Sequence, residues 1–343
     1  MQTSIPDLRA EIRPMRAKSL ALPVAILAFD LLLYGAATWF AITSAGTTAS
    51  WLFGTAAGVG IAMLFVVGHD ACHGSFTPNR RLNQWIGRLS FLPSLTPFTG
   101  WEIGHNQTHH VYTNLKGRDY VWAPFSKAEF DALPAWRRGL ERCYRTPPGV
   151  GLYYMIEIWW RRLFFAPNED PRRRIGMLAD SALCLVYGAV LAAIALAIGL
   201  RPFFAGVLWP FLLWNWTMGW AIFEHHTHPR VPWFADEAEW RAAEAQSRCT
   251  VHAVLPKPLD LLIHNIMQHT AHHLDVTIPM YHLTEAQAAV EATCRNVAVV
   301  EPWSMGRFFR HLRICRLYDF ERRCWLGFDG KPALDGCVWR DHR

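Results

Sequence analysis

The amino-acid sequence predicts an all-α integral membrane protein: four transmembrane helices paired as two hairpins, with a cytoplasmic helical cap rich in histidine. Three observations carry this expectation. Only 18% of the 343 residues are charged, and these are unevenly placed: residues 19–68 hold one charged side chain, Asp30, and residues 176–223 hold two, Asp180 and Arg201. Lys and Arg gather outside those stretches. The 16 histidines fall mostly into tight clusters beside them. So sharp a segregation excludes both a disordered chain and an ordinary soluble one.

The spans follow from length. A hydrocarbon core of about 30 Å needs about 20 helical residues. Residues 21–41 qualify, and 51–68 qualify after the small polar turn at 44–50. The second apolar block divides at Arg201-Pro202 into residues 178–200 and 203–223. A cleaved signal peptide is the rival reading of the start, with Arg9, Arg13, Arg16 and Lys18 as its basic region and Ser44-Ala45-Gly46 as its cleavage site. The apolar run is longer than the roughly 7–15 residues of a signal core.

Residues 1–18 carry four Lys and Arg, 69–175 carry fifteen and 224–343 carry fourteen, whereas the first turn has none and the second only Arg201. An excess of positive charge marks the cytoplasmic side, so both termini and the middle segment are expected there. Residues 150–165 and 308–326, aromatic and basic, read either as interfacial helices or as core helices of the cap. No repeat or linker interrupts the chain, and residues 1–343 read as a single domain. The formal charge of +6 fits an anionic leaflet better than nucleic acid. The eight cysteines form no CxxC pair and read as reduced thiols. The mid-span acid Asp30 is functional by default or pairs with another helix.

The histidines hold the chemistry. His69 and His73 end the second span, His105, His109 and His110 lie in the middle segment, His225, His226 and His228 follow the fourth span, and His269, His272 and His273 come later. On an α-helix, positions i, i+3 and i+4 share a face, so each cluster can aim imidazoles at one point. Three clusters at ligand spacing offer eight imidazoles, and residues 225–228 offer at least one more. That exceeds what one ion takes and suits two ions with open positions. A zinc reservoir is the plain alternative. His252, His282, His311 and His342 read as structural. Imidazole suits zinc, copper, iron and nickel alike, so ligand type leaves the metal open.

The stretches HDACHGSF, HNQTHH and HTAHH resemble the three histidine boxes of the membrane fatty-acid desaturases. The surrounding GHDACHGSFTPNRRLNQWIGRL, EHHTHPRVPWF and HNIMQHTAHHLDVTIPMYHL resemble their delta-12/omega-6 branch. The resemblance implies an O2-dependent desaturase acting on a fatty acyl chain at two irons. It implies His69, His73, His105, His109, His110, His226, His269, His272 and His273 as ligands, with His226 rather than His225 as the ninth. Box two departs from the common pattern in having three residues between its first histidine and the pair, and Trp101-Glu102 stands where a basic residue is expected. Asp70, Glu102, Asp119, Glu224, Asn265 and Asp275 are candidates to orient the imidazoles.

Breaking an alkyl C–H bond calls for a strong oxidant, which a metal supplies. An apolar tunnel would set the depth of the chain, and Arg80, Arg81 and Arg118 would meet an anionic head group or lipid phosphate. No iron–sulfur cysteine pattern is present, so electrons are expected from a separate ferredoxin-type or b-type cytochrome donor. Arg outnumbers Lys 29 to 5, which points to a bacterial inner membrane. Two rivals stand beside this reading: a hydroxylase or ketolase on the same scaffold, and a membrane zinc hydrolase or receptor.

Overall fold

The computed structural model describes residues 4–164, 171–294, 297 and 299–334. The chain opens with α1 (Ile5–Ile12), started by a capping box in which Ser4 and Asp7 satisfy each other's backbone amides. Its Ile5, Leu8 and Ile12 are buried, and Arg9 Nε donates to Leu274 O at 2.9 Å. Helices α2 (Ala21–Thr43) and α3 (Thr48–His73) follow, joined by a short turn and packed against each other. α3 stops directly after His73 because Gly74 adopts φ +70°, a left-handed turn that glycine takes without strain.

The middle segment contains α4 (Arg80–Phe91), α5 (Phe98–Trp101), a π-helical stretch Glu102–His109, and α6 (His110–Tyr112). Helices α7 (Lys127–Ala132), α8 (Ala135–Tyr144) and α9 (Gly149–Tyr153) follow, and α9 runs into a second π-helical stretch, Tyr154–Phe164. Then come α10 (Pro171–Ile198), α11 (Leu200–Phe203), a short π turn Phe204–Leu208 and α12 (Trp209–His226). The last part holds α13 (Glu237–Ala242), α14 (Ala245–Arg248), α15 (Lys257–Leu262), α16 (His269–Leu274), α17 (Leu283–Thr293) and α18 (Met305–Ile314).

Among the described residues, three helices are long and apolar enough to cross a membrane: Ala21–Thr43, Thr48–His73 and Arg173–Ile198. The expected fourth span, 203–223, is not one of them. Its run is divided by the π turn, and Trp209, Asn215 and Trp216 dilute its hydropathy. α3 is the central pillar, 67% buried, whereas the first and third of these helices are 28% and 17% buried. The turns at 44–50 and 199–202 meet at the end remote from the histidines, where a Cβ on Gly46 would lie 3.7 Å from Arg201. Asp180 on α10 accepts from Thr99 N at 2.8 Å, Thr99 Oγ1 at 2.6 Å and Arg88 Nε at 2.8 Å. Those bonds tie α10 to α4 and α5.

The protein is not all α. β1 (Val251–Val254) pairs in parallel with β2 (Val299–Pro302), and β3 (Leu317–Asp319) pairs antiparallel with β4 (Cys324–Leu326). The β3–β4 hairpin occupies part of 308–326, so the basic helix expected there ends at Ile314. Of 150–165, the described part is helical and only half buried, with Tyr154 and Ile158 inside and Trp160 outside. Six cysteines are free, but Cys324 is disulfide-bonded, against the expectation of reduced thiols throughout.

Candidate metal centre

Nine imidazoles from four stretches of chain converge at the C-terminal end of α3 and sort into two groups. His69, His73, His105, His110 and His272 form one, and His109, His226, His269 and His273 form the other. Within each group the ligand atoms all lie within 4.8 Å of one another.

The sorting differs from the sequence expectation that each cluster serves one point. Only box one does. Box two is wound as a π-helix, and the amide of His110 bonds to His105 O, five residues back. A π turn takes about one more residue than an α turn, so His105 aligns with His110 instead of His109. Box three divides too: His269 and His273, at i and i+4, share a face, and His272 points to the first group.

The ring nitrogens are packed as ligands of a common cation would be. Nε2 separations are 2.9 Å for His69–His105, 3.0 Å for His105–His110 and 3.1 Å for His110–His272. In the second group they are 3.0 Å for His109–His226 and 2.9 Å for His226–His269. Two nitrogens each about 2.1 Å from one ion lie about 3.0 Å apart at a right angle and about 3.4 Å apart at the tetrahedral angle. The observed contacts are of that size, and every other pair within a group lies within 4.8 Å. Nε2 of His73 and of His273 is buried with no hydrogen-bond partner. Burial and the neighbouring imidazoles hold His105, His110, His269, His272 and His273 well below the ordinary imidazole pKa. They are therefore neutral, the form that binds metal.

Several rings are oriented through Nδ1. His109 Nδ1 donates to both oxygens of Asp119 at 3.1 Å. Asp119 is itself held by the amides of Asn114 at 2.9 Å and Val121 at 3.0 Å. His226 Nδ1 donates to Cys249 O at 3.0 Å, and His273 Nδ1 to Gln246 O at 3.3 Å. Each acceptor fixes the proton on Nδ1 and frees Nε2. In the first group, His105 is stacked on Trp101 at 4.5 Å. His69 Nδ1 is 3.5 Å from Asp70 Oδ1, too far for a bond, and Asp70 Oδ2 instead accepts from Met280 N at 2.5 Å.

The other candidates serve elsewhere. Asp275 pairs with Arg16, Glu224 lies 3.8 Å from His311 Nδ1, and Asn265 Oδ1 has no partner. No hydrogen bond joins Glu102 to an imidazole among the described residues. His225 is outside both groups, stacked on His269 at 3.6 Å with its Nε2 3.2 Å from Met267 Sδ. His252 pairs with Glu291 and His282 faces Glu285. His342 lies outside the described residues. Arg80 and Arg81 are exposed, and Arg118 covers the ring of Tyr112. The backbone acceptors at 246 and 249 carried no side-chain signal. His228, Glu301 and His311 form a third cluster. There, His228 Nδ1 accepts from Arg230 N at 3.0 Å, which leaves the proton on Nε2 and disfavours ligation through that atom.

An apolar cavity of about 60 Å³ abuts the imidazoles and is lined by His69, His105, His109, His225, His226 and His269. Phe65, Trp101, Tyr154, Trp214 and Trp220 form much of the remaining wall.

A largely helical membrane protein with a buried histidine metal site is the class that this fold and site define. The profile of the fatty acid desaturase family matches residues 45–303. The chloroplastic omega-6 fatty acid desaturase of Brassica napus is 28% identical over 328 residues, covering 95% of this chain and 71% of that protein. The sn-1 oleoyl-lipid 12-desaturase of Picosynechococcus sp. is 29% identical over 328 residues, covering 93% and 89%. Its namesake in Synechocystis sp. is 32% identical over 273 residues, covering 77% and 74%. The chain belongs to the fatty acid desaturase family and is an enzyme of that class. Neither the hydroxylase nor the zinc-hydrolase reading is favoured by these relatives.

Proposed function

We propose that this chain is an acyl-lipid desaturase that introduces a double bond into a lipid-borne oleoyl chain at two irons. His69, His73, His105, His110 and His272 would hold one iron, and His109, His226, His269 and His273 the other. The observation that carries this reading is the division of nine buried imidazoles into two converging groups beside one apolar cavity. Five and four imidazoles suit two separate ions, and zinc has no redox chemistry to offer an oxidation. When bound, the irons supply the oxidising power, drawn from O2 and two electrons, to remove two hydrogens from neighbouring carbons.

The protein's part is placement and exclusion. The aromatic wall holds a polymethylene chain that offers no polar handle, so position is set by how far the chain runs in. The same wall keeps water from the reacting carbons. Asp119, Cys249 O and Gln246 O hold the rings of His109, His226 and His273 with Nε2 inward. Four spans with the fourth at 203–223, cytoplasmic termini, a bacterial inner membrane and a single domain over 1–343 complete the proposal. The charge count and the meeting of the two turns support that topology. Electrons would come from a soluble ferredoxin-type or b-type cytochrome docking on the cytoplasmic cap.

The test is expression in a host of defined fatty-acid profile, followed by chromatography of total lipids and metal analysis. A new diunsaturated acyl chain with about two irons per chain is expected. A hydroxylated product supports the hydroxylase instead, and a single zinc without product overturns the assignment. A cysteine in the 44–50 turn should label from outside intact cells, and one at Ser126 or Ser304 should not.

A further inference from the structure

Asp30 lies within the apolar run of α2 and is fully buried. Its Oδ2 accepts from His264 Nε2 at 2.7 Å, and its Oδ1 has no hydrogen-bond partner. An acid in a membrane span marks a functional site more often than a structural one. Its partner is no neighbouring span. His264 belongs to the turn after α15, where His264 and Asn265 have φ of +50° and +58° in succession. Two consecutive non-glycine residues in the left-handed region store strain.

Segment 256–266 is bonded to itself and to Gln268, which follows it in the chain. Asn265 N donates to Asp260 O at 2.9 Å, and Gln268 Nε2 donates to Asp260 Oδ2 at 2.7 Å. Among the described residues, the Asp30–His264 bond is its one hydrogen bond to a membrane helix. Its Leu259, Leu261 and Leu262 are exposed, as is Phe29 on the adjoining face of α2. Exposed leucines continuous with a membrane-crossing helix face the bilayer.

Between α2 and this segment lies an open groove of about 420 Å³, lined by Phe29, Asp30, Met63, Leu261, Leu262 and His264. The histidine-lined cavity has Ala62, Ile263 and Ile266 in its wall. Adjacent residues thus line different spaces: Ala62 and Ile263 the cavity, Met63 and His264 the groove. One layer of side chains separates bilayer from metal centre.

We infer that segment 256–266 is a lateral door, latched by Asp30 and His264, through which the acyl chain of a bilayer lipid passes sideways from the groove into the cavity. The inference rests on the acyl-lipid reading above. Its physical logic is that a chain delivered sideways never exposes its methylenes to water. The segment's internal bonds let it swing as a unit once the single latch parts.

The test replaces the latch with a lockable one. The Asp30→Cys/His264→Cys protein is treated with either a short bifunctional maleimide or N-ethylmaleimide, with identically treated wild type as control. Each sample, iron-loaded and supplied with O2 and a reduced ferredoxin, is placed in dioleoyl-phosphatidylcholine vesicles containing a phosphatidylcholine with a diazirine on one acyl chain. Photolabelled peptides are mapped, and desaturation of the vesicle lipid is measured. The monofunctional sample should label both Leu261 in the groove and Trp214 in the cavity, whereas the bridged sample should label only the groove and form no product. Equal cavity labelling in the two samples overturns the door, as does absence of cavity labelling from both. Cavity labelling without product leaves the door standing and sinks the desaturase reading. Desaturation that bridging leaves unchanged does the reverse. Asp30→Leu provides a check that a merely structural bond would fail. Loss of the latch should speed cavity labelling, while Asp30→Asn, which still accepts from His264, should label as wild type does. Slower labelling in Asp30→Leu counts against a latch.

Discussion

The two histidine groups hold their rings in different ways. In the second, Nδ1 of His109, His226 and His273 each reaches an oxygen of the protein. The fourth ring of that group, His269, has its Nδ1 buried without a partner, as have His69 and His272 in the first group, where position comes from packing: the central helix α3, and Trp101 stacked on His105. Hydrogen bonding fixes a tautomer as well as a direction, whereas packing fixes only the direction. The difference teaches that two neighbouring sites of similar ligands can respond very differently to the loss of a supporting group.

The largest effect should ignore this difference. Alanine at His69, His73, His110 or His272, or at His109 or His273, should leave less than about a tenth of the product, measured as unsaturated acyl chain in host lipids. His282→Ala should be nearly silent. A ligand variant that keeps substantial activity would break the symmetry at its own group.

Next comes the pair at the end of α12. His226→Gln should lose activity and part of the iron, because its Nε2 lies 3.0 Å from that of His109. His225→Gln should retain both, since His225 belongs to neither group. Iron content and product together read this comparison, and the opposite ranking would shift the assignment by one residue.

The comparison between the groups is sharpest at their acids. Asp119→Asn should cost roughly 10–100-fold in activity or metal affinity, because it disturbs the bond that sets His109. Asp70→Asn should cost less, since Asp70 chiefly accepts from Met280 N. Equal losses, read by metal titration of purified protein, would erase the distinction drawn here. The smallest effect concerns Gly104, where a Cβ would lie 2.4 Å from Tyr120 Oη. Gly104→Ala should slow turnover severalfold, and adding Tyr120→Phe should recover part of it.

Much of this centre was legible in the sequence, because histidine at helical spacing is rare unless something binds it. The long runs of α2, α3 and α10 were legible from charge alone. What escaped had no side-chain signature. The acceptors for His226 and His273 are backbone carbonyls, and the strands are three or four residues long. The tryptophan-rich stretch ending at His226 reads as a fourth span by its lack of charge, yet among the described residues it is less apolar than the other three. Asp119 was visible only as one of six equal candidates, five acids and an amide. Its selection depends on the turn at Asn114, whose amide helps hold the carboxylate.

The winding of Glu102–His109 bears on how such chains tolerate insertions and deletions. Elsewhere in a helix, losing one residue rotates everything beyond it by about 100° relative to its surroundings. Here the extra residue of the π turn is already part of the register. Deleting Ile103 would let the stretch rewind as an ordinary α-helix while keeping every histidine in the chain. All nine ligand letters would survive, yet His109 and His110 would no longer reach opposite groups. A reading frame of ligands therefore exists here in three dimensions, and a deletion can be fatal to it without touching a single imidazole.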